Sequence, residues 1–330
     1  MQHAPSHIAI FRTDRLGDMV LTLPMCLELR RRFPGARITL YTRSYAAPLV
    51  EATHVVDDLV TVDTLTVPLH RDLRSRAIDA IFFPRPTLDE AWAAVRARIP
   101  MRIGTGYRWY SWMFTTRIGE HRSTAEHHEA EYNVRMIMHA FGGSQPTVEL
   151  ANPRPNAHHE QIHTPIRIVI HPGSGGSAHD WPVDRFAELA ARCHNELGAE
   201  IHVTGLASER ALCDTILTAC PAAIDHCGNH DLSYLLDVLA NADMAVANST
   251  GVLHVAAACG LRVVGLYPAS PAISQRRWGP YTTHARVLES TPDDDMTSIS
   301  VDAALAAVRE LAQHPQAYPQ QSSDAASRRT

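Results

Sequence analysis

The stretch Met244-Ala-Val-Ala-Asn-Ser-Thr-Gly-Val-Leu-His-Val-Ala-Ala-Ala-Cys-Gly-Leu-Arg-Val-Val-Gly-Leu-Tyr267 reads as a strand, a turn, a helix and a second strand. Residues 244–247 form an apolar run, 248–251 are turn-forming, and 252–259 are rich in alanine. Residues 263–267 are again apolar and β-branched. The pattern therefore predicts a βαβ unit, which is the repeating element of a parallel α/β sheet.

The start of the helix in this unit has residue types that suit phosphate binding. Ser249 and Thr250 are favourable N-cap residues, and Gly251 lets the backbone approach a ligand closely. The unpaired N–H groups of the first turn lie at the positive end of the helix dipole, which attracts anions. An ordinary capped helix would show the same residues, so this motif alone leaves both interpretations open.

Composition and charge exclude several classes of protein. The chain has 330 residues, of which 45% are hydrophobic and 20% are charged, which predicts a globular protein of two domains. A net charge of -5 with mixed signs provides no basic surface for nucleic acid. The six cysteines form no Cys-x-x-Cys pair, and no metal-binding motif is present, so we expect reduced thiols, a cytoplasmic location and no metal site.

No apolar run reaches the roughly 20 residues that a transmembrane helix needs. The first residues, 1–7, also lack the charged and apolar regions of a secretory signal. We therefore expect any membrane contact to be peripheral.

The first half of the chain repeats the strand and helix pattern. His7–Phe11 and Arg37–Thr42 are predicted strands, separated by a predicted helix over 19–33. The loop after the first strand contains Arg15 and Asp18. Because ligands bind at the carboxyl ends of parallel strands, we expect these two side chains at the edge of a site.

Arginine and aromatic residues alternate in Arg102-Ile-Gly-Thr-Gly-Tyr-Arg-Trp-Tyr-Ser-Trp-Met-Phe-Thr-Thr-Arg117. Aromatic faces beside guanidinium groups can bind a carbohydrate that carries phosphate or carboxylate. An aromatic patch that covers the core would have the same composition. Arg102 and Arg108 are therefore candidates for contact with an anionic sugar.

The second half begins after a segment rich in Pro, Asn and His, which resembles a linker. A predicted strand over 166–171 leads into a glycine-rich loop, 172–182, whose free N–H groups suit phosphate oxygens. Thr204 follows the next strand. Glu209 stands in the first turn of the helix after it, where it either accepts hydrogen bonds from ribose hydroxyls or suits the helix dipole.

We expect an N-terminal domain over 1–150, a linker over 151–165 and a C-terminal domain over 166–315. The last helix, predicted over 301–311, is expected to pack back on the N-terminal domain. Residues 316–330 are polar and are expected to be disordered.

Several of these segments together resemble glycosyltransferase family 9, the bacterial heptosyltransferases. The resemblance spans about residues 7 to 313 and depends on short motifs at matching separations. They are Arg15-Leu-Gly-Asp-Met-Val-Leu-Thr-Leu-Pro24, Arg102-Ile-Gly104, His128-Glu-Ala-Glu-Tyr132, His171-Pro-Gly-Ser-Gly-Gly176 with Trp181-Pro182, and Ser249-Thr-Gly-Val-Leu-His-Val-Ala-Ala-Ala258.

This resemblance implies the GT-B fold, in which two Rossmann-like α/β domains with parallel sheets face each other across a cleft. It implies metal-independent, inverting transfer of a heptose, usually from ADP-heptose, to a lipid-linked saccharide of the lipopolysaccharide core. The nucleotide-sugar would be a substrate, and no cofactor is needed. A cytoplasmic monomer that contacts the inner membrane peripherally would fit this activity.

The resemblance also assigns roles to individual residues. Asp18 matches the family's catalytic base, although an Asp after Gly17 would also serve as a helix N-cap. Acceptor-binding roles fall to Arg15, Arg102 and Arg108. Donor-binding roles fall to Ser174, Gly175, Gly176, His179, Thr204, Glu209, Ser249, Thr250, Gly251 and His254.

Two positions depart from the family pattern, and both are on the donor side. His179 stands where many relatives have Lys or Arg facing the diphosphate, and an imidazole carries a weaker, pH-dependent charge. Ser249 replaces a common Asp, and a hydroxyl cannot act as a carboxylate toward the donor sugar. The donor nucleotide or sugar therefore stays open.

Two other functions stay open at this stage. A sugar-nucleotide epimerase of the same shape would need a second acid or base, and the sequence contains no clear candidate. A non-catalytic sugar-nucleotide binder would have no need of Asp18, so the intact Arg15-Leu-Gly-Asp18 segment favours an enzyme.

Overall fold

The structure, a computed structural model, describes residues 4–144, 148–154, 162–176, 179–228 and 231–313. Within these ranges the chain forms two six-stranded sheets in which every pair of neighbouring strands is parallel. Each sheet is flanked by helices, so the expected α/β fold with two Rossmann-like domains is confirmed.

The first sheet has the strand order β3-β2-β1-β4-β5-β6. Its strands are β1 His7–Phe11, β2 Arg37–Thr42, β3 Asp58–Thr61, β4 Ala80–Phe82, β5 Met101–Thr105 and β6 Thr116–Ile118. Its helices are α1 Leu16–Val20, α2 Leu23–Arg32, α3 Ala47–Thr53, α4 Leu69–Ser75, α5 Leu88–Ala97 and α6 Glu129–Phe141. The central strand β1 is buried at every residue, which is why its sequence is an unbroken apolar run rather than an alternating one.

The second sheet has the order β12-β11-β10-β7-β8-β9. Its strands are β7 Arg167–His171, β8 Glu200–Val203, β9 Ile224–Asp225, β10 Met244–Asn248, β11 Arg262–Tyr267 and β12 Ala285–Glu289. Its helices are α7 Val183–Leu197, α8 Arg210–Ala219, α9 Leu232–Ala240, α10 Gly251–Ala258, α11 Gln275–Trp278 and α12 Val301–Gln313.

The two sheets share one topology. Numbered from its own first strand, each reads 3-2-1-4-5-6, so the connection reverses direction between the first and fourth strands. Ligands bind at this switch point in doubly wound sheets. The four loops that follow β1, β4, β7 and β10 are therefore the ones expected to form the site.

The two domains also share apolar packing. Helix α1 packs on α10, and α3 packs on α9. The largest apolar cluster accordingly includes buried side chains of both domains, such as Met19 and Leu253. No helix in the described part of the chain is long and apolar enough to cross a membrane.

Two predictions about helices were wrong. The single helix predicted over 19–33 is two helices, α1 and α2, because Pro24 lacks an N–H donor and is tolerated only in a first helical turn. Helix α12 packs on α7, β11 and β12 rather than on the N-terminal domain, since its buried face of Ala304, Leu305 and Val308 joins the C-terminal core.

The expected domain limits are compatible with these elements and remain a prediction. The expected linker, 151–165, follows α6 and precedes β7, and its residues 155–161 lie outside the described ranges. The expected disordered tail, 316–330, also lies outside them.

Candidate functional site

A cavity of about 410 Å³ lies between the two domains. From the N-terminal domain it is lined by Arg15, Leu16, Gly17 and Tyr45. From the C-terminal domain it is lined by His171, Ser174, Gly175, Thr204, Gly205, Leu206, Glu209, His226, Asp231, Leu232, Tyr234, Leu235, Val238, Thr250, Gly251 and Val252. The loops after β1, β7 and β10 all contribute, as the shared topology predicts.

The buried side chain of Asn248 joins the two C-terminal loops at their switch point. Its Nδ2 donates to the carbonyl of Pro172 at 2.7 Å, and its Oδ1 accepts the backbone N–H of Trp181 at 2.9 Å. The glycine-rich loop after β7 is thereby attached at both ends to the end of β10. This single amide explains why the loop and the α10 tip form one wall.

The tip of α10 touches α1 of the other domain through two glycines. A Cβ on Gly251 would lie 2.9 Å from the backbone nitrogen of Gly17 and 3.0 Å from Cβ of Leu16. A Cβ on Gly17 would lie 2.8 Å from Cδ2 of His254. A side chain at either position would therefore require the atoms of the facing helix to shift.

The expected side-chain capping of α10 was wrong. Thr250 occupies the N-cap position in an extended conformation, but its side chain makes no capping hydrogen bond. The hydroxyl of Ser249 instead bonds to that of the buried Tyr267. The first N–H groups of α10 have no acceptor within the helix, so the tip keeps its capacity to bind an anion.

Glu209 and His171 lie together at the floor of the cavity. The Glu209 carboxylate accepts the backbone N–H of Leu206 at 2.8 Å and packs against Gly173, where a Cβ would lie 1.9 Å from its Oε1. The Nε2 of His171 is 4.0 Å from Oε2 of Glu209. Burial lowers the pKa of His171, so the imidazole is neutral.

Asp18 belongs to a buried group of charges that we call the Arg12 cluster: Arg12, Asp14, Asp18 and Glu129. The Arg12 side chain is 1% exposed and is ion-paired with Asp18. Its Nε lies 2.6 Å from Oδ1 of Asp14, and its Nη1 lies 4.0 Å from Oε1 of Glu129. Burial alone would lower the pKa of Arg12, but the three carboxylates outweigh it and raise that pKa.

The Asp18 carboxyl has the proton affinity of a general base. Burial raises its pKa to about 6, and Asp14 and Glu129 add to the rise, while Arg12 and Arg85 oppose it. Its side chain is 13% exposed, directly after the cavity residue Gly17. Asp18 lies inside α1, whose N-cap is Arg15, so the alternative that Asp18 caps the helix is wrong.

Seven of the residues singled out from the sequence lie together in the cavity wall. They are Arg15, Ser174, Gly175, Thr204, Glu209, Thr250 and Gly251. Arg15 was expected on the acceptor side, but it faces the same cavity as the expected donor residues. Its exposed guanidinium makes no hydrogen bond or ion pair with the described residues, so its charge is available to a ligand.

The remaining expected residues do not line this cavity. Gly176 and His179 are exposed on the loop after β7, and His179 lies near Asp180 and Asp294. The hydroxyl of Ser249 is hydrogen-bonded to Tyr267. His254 is buried beneath the contact of α1 with α10, and burial lowers its pKa to about 3, so it is neutral.

The two arginines of the aromatic segment have different surroundings. Arg102 donates from Nε to the carbonyl of Met113 at 2.7 Å and also bonds the carbonyl of Ile99, so its guanidinium holds backbone rather than a ligand. These backbone contacts do not favour the expected contact of Arg102 with the acceptor, which remains a prediction. Arg108 is exposed and lies near Tyr110, although it does not line the cavity.

Some cavity and switch-point residues were missed from the sequence. Tyr45 follows β2, and Asp231 caps α9. Arg85 follows β4, is largely exposed, and lies 3.2 Å from Asp14. The available signal for Arg85 was its place after the short apolar run 80–83, because its partner is 71 residues away.

This fold and cavity define a class of protein. Two Rossmann-like domains with a shared switch-point cavity form the GT-B fold of glycosyltransferases. More narrowly, the chain belongs to glycosyltransferase family 9, the heptosyltransferase family, whose model matches residues 67–302. The chain is accordingly a glycosyltransferase.

Individual relatives agree with this assignment. A Haemophilus influenzae protein, provisionally named as a glycosyltransferase, is 26% identical over 91% of this chain and 95% of its own length. The solved structure of Escherichia coli ADP-heptose lipopolysaccharide heptosyltransferase II has a TM-score of 0.79 at 20% identity, covering 92% and 98% of the two chains. A family 9 structure from Veillonella parvula has a TM-score of 0.77 at 21% identity, covering 93% and 97%.

Proposed function

We propose that this chain is a metal-independent, inverting glycosyltransferase that transfers a heptose or related sugar from ADP-heptose to a lipid-linked saccharide of the lipopolysaccharide-core type. One observation carries the proposal: a single cavity brings the tip of α10 and the glycine-rich loop against the segment of α1 that contains Asp18. Family membership and the printed name of the E. coli structure support the donor and acceptor classes.

The donor diphosphate fits the C-terminal wall near Thr250 and Gly251. The N–H groups of a helix tip bind phosphate oxygens, and Arg15 adds a positive charge from the opposite wall. Glu209 then lies at the deeper part of the cavity, where its carboxylate can accept hydrogen bonds from ribose hydroxyls. The described residues contain no group of three or more His, Cys, Asp or Glu side chains that could hold a metal ion.

The acceptor fits the N-terminal side, beside Asp18. Arg85 and Arg108 are both exposed and both lie near Tyr110, so they form a positive edge for an anionic saccharide. Asp18 would remove the proton from the attacking hydroxyl of the acceptor. At the same time, the oxygen of that hydroxyl would form the new bond to the anomeric carbon. The bond from that carbon to the diphosphate breaks at the same time, and the electron pair leaves with ADP.

The expected location follows from this function. An enzyme that takes a soluble nucleotide-sugar and a lipid-linked acceptor would act as a monomer in the cytoplasm, in peripheral contact with the inner membrane.

A thermal-shift screen tests the donor assignment. A ligand that binds only the folded state raises stability by about 2.7 kcal/mol at 100 times its Kd. We expect ADP and ADP-linked sugars to raise Tm more than UDP, GDP or CDP, and Glu209→Gln to reduce the ADP shift without lowering Tm in the absence of ligand. Stabilisation by UDP-linked sugars alone would overturn the donor, and no stabilisation by any nucleotide would overturn the site.

A further inference from the structure

The N-terminus of α6 meets the C-terminal domain at a polar contact. Arg277 of α11 donates from Nε and Nη2 to Oε2 of Glu129, at 3.0 Å each. The Nε2 of His128 bonds the carbonyl of Gly279 at 2.8 Å, and the hydroxyl of Tyr281 bonds Oε1 of Glu131 at 3.3 Å. The His128-Glu-Ala-Glu-Tyr132 motif is therefore a junction between the domains.

This junction is linked to Asp18 through two buried charges. The second oxygen of Glu129, Oε1, is ion-paired with Arg122 and lies 4.0 Å from Arg12. Arg12 is in turn ion-paired with Asp18. The side chains of Glu129 and Arg12 are 3% and 1% exposed, so water and salt screen their interactions only weakly.

We propose that Arg277 is a positioning residue which, through Glu129 and Arg12, couples the arrangement of the two domains to the proton affinity of Asp18. The proposal deepens the proposed function and rests on it, since Asp18 matters as the base. Arg277 reaches Glu129 only while the domains are in contact. Opening of the cleft would remove one of the cations that neutralise Glu129.

Arg277 can affect the proton affinity of Asp18 because Glu129 and Asp18 compete for the same cation, Arg12. Burial would raise the pKa of Glu129, but Arg122, Arg12 and Arg277 outweigh it and hold that pKa below its ordinary value. Without Arg277, Glu129 attracts Arg12 more strongly, and Arg12 then stabilises the Asp18 carboxylate less. The ionisable groups around Asp18, on its own and on neighbouring elements, are Arg12, Asp14, Tyr45, Arg85, Glu129 and His254.

Two substitutions should shift Asp18 in opposite directions. Arg277→Gln removes a cation, so the pKa of Asp18 should rise by roughly half a pH unit or more. Glu129→Gln removes an anion beside Arg12, so the pKa of Asp18 should fall by a similar amount. The double variant loses both charges and should lie between the two. Since the deprotonated carboxyl is the active base, the acid limb of kcat should move to higher pH in Arg277→Gln and to lower pH in Glu129→Gln.

The measurement is a carboxyl-carbon NMR titration of the full chain labelled at aspartate, with the Asp18 signal identified by its loss in Asp18→Asn. Arg276→Gln, which removes an exposed neighbouring arginine, is the matched control and should leave the titration unchanged. Circular dichroism checks folding, and Arg277→Lys should keep most of the wild-type value because the charge is retained.

Each outcome decides the proposal. Opposite shifts for Arg277→Gln and Glu129→Gln support it, whereas an unchanged titration or shifts of the same sign overturn it. If Arg277→Gln does not fold, the downward shift of Glu129→Gln and the near-wild-type value of Arg277→Lys are still required. If the titration moves and the kcat profile does not, the coupling holds and the role of Asp18 as base fails.

Discussion

The two walls of the cavity differ in where their charge lies. On the N-terminal side, the Arg12 cluster surrounds one buried guanidinium with three carboxylates, and Arg15 projects into the cavity. On the C-terminal side, the described lining residues include no arginine or lysine, and Glu209 and Asp231 are their carboxylates. That wall provides glycines, hydroxyls and helix-tip amides for a ligand.

In the proposed function, this difference divides the chemistry between the two walls. The proposed proton transfer needs a carboxyl with a raised pKa, and on the N-terminal side burial raises the pKa of Asp18 to about 6. A departing diphosphate needs fixed N–H donors, which the α10 tip provides without a titratable group. In the proposed function, Arg15 on the opposite wall would supply the positive charge that the diphosphate also needs.

The largest effect is expected from Asp18→Asn, which removes the base and keeps the shape. General base catalysis contributes about 100-fold to 10,000-fold, so kcat should fall about 1,000-fold. The Kd of the donor, measured by calorimetry, should stay within a few-fold of the wild type. Asp89→Asn, at an exposed acid of α5, should change neither. If the Asp18→Asn variant kept its kcat but lost donor binding, Asp18 would serve the donor rather than proton transfer. That result would contradict the proposed division of roles between the two walls.

A smaller loss is expected from Arg15→Gln. Removing one donor to the developing charge of a leaving group costs about 100-fold in kcat, the lower end of what such groups contribute. Arg71→Gln, at an exposed arginine of α4, is the control and should be neutral. Steady-state kinetics separates the two possible roles of Arg15. If only the KM of the acceptor rises, Arg15 serves the acceptor, and the positive charge for the diphosphate must come from elsewhere.

The smallest effect is expected from Gly251→Ala, which tests whether the two walls must touch. The added methyl would meet backbone atoms of α1, and overpacking of this kind costs about 1–3 kcal/mol. Tm should fall by several degrees, and kcat/KM should fall several-fold because the α10 tip is displaced. Gly35→Ala adds a methyl where no atom lies within 4 Å and should leave both unchanged. A Gly251→Ala enzyme with wild-type Tm and rate would show that the close contact is dispensable.

Much of the fold could be predicted from short-range patterns. Helix α7, Val183–Leu197, is readily predicted because its apolar residues recur at helical spacing and Gly198 ends it in a left-handed conformation. Strand β5, Met101–Thr105, was missed because an arginine and a glycine interrupt its apolar residues. Strand β12, Ala285–Glu289, was missed because it lies at an edge and is only partly buried, so its pattern is weak.

The residue types of the site could be predicted from the sequence, but the directions in which the side chains point could not. Arg102 stands in a segment whose composition suits a sugar, yet its guanidinium turns toward backbone carbonyls. Arg15 was assigned to the acceptor because it belongs to the N-terminal domain, although it lines the same cavity as the residues expected to bind the donor. The pair of Arg277 with Glu129 joins residues 148 positions apart, and no local pattern indicates such a contact.

The apolar packing between α1 and α10 has a thermodynamic consequence. Met19 and Leu253 belong to one continuous cluster, so each half of the molecule completes the interior of the other. Heating should therefore melt both halves in one cooperative calorimetric transition rather than in two. Either domain produced alone would expose the apolar surface that the other domain covers, and it would be prone to aggregate.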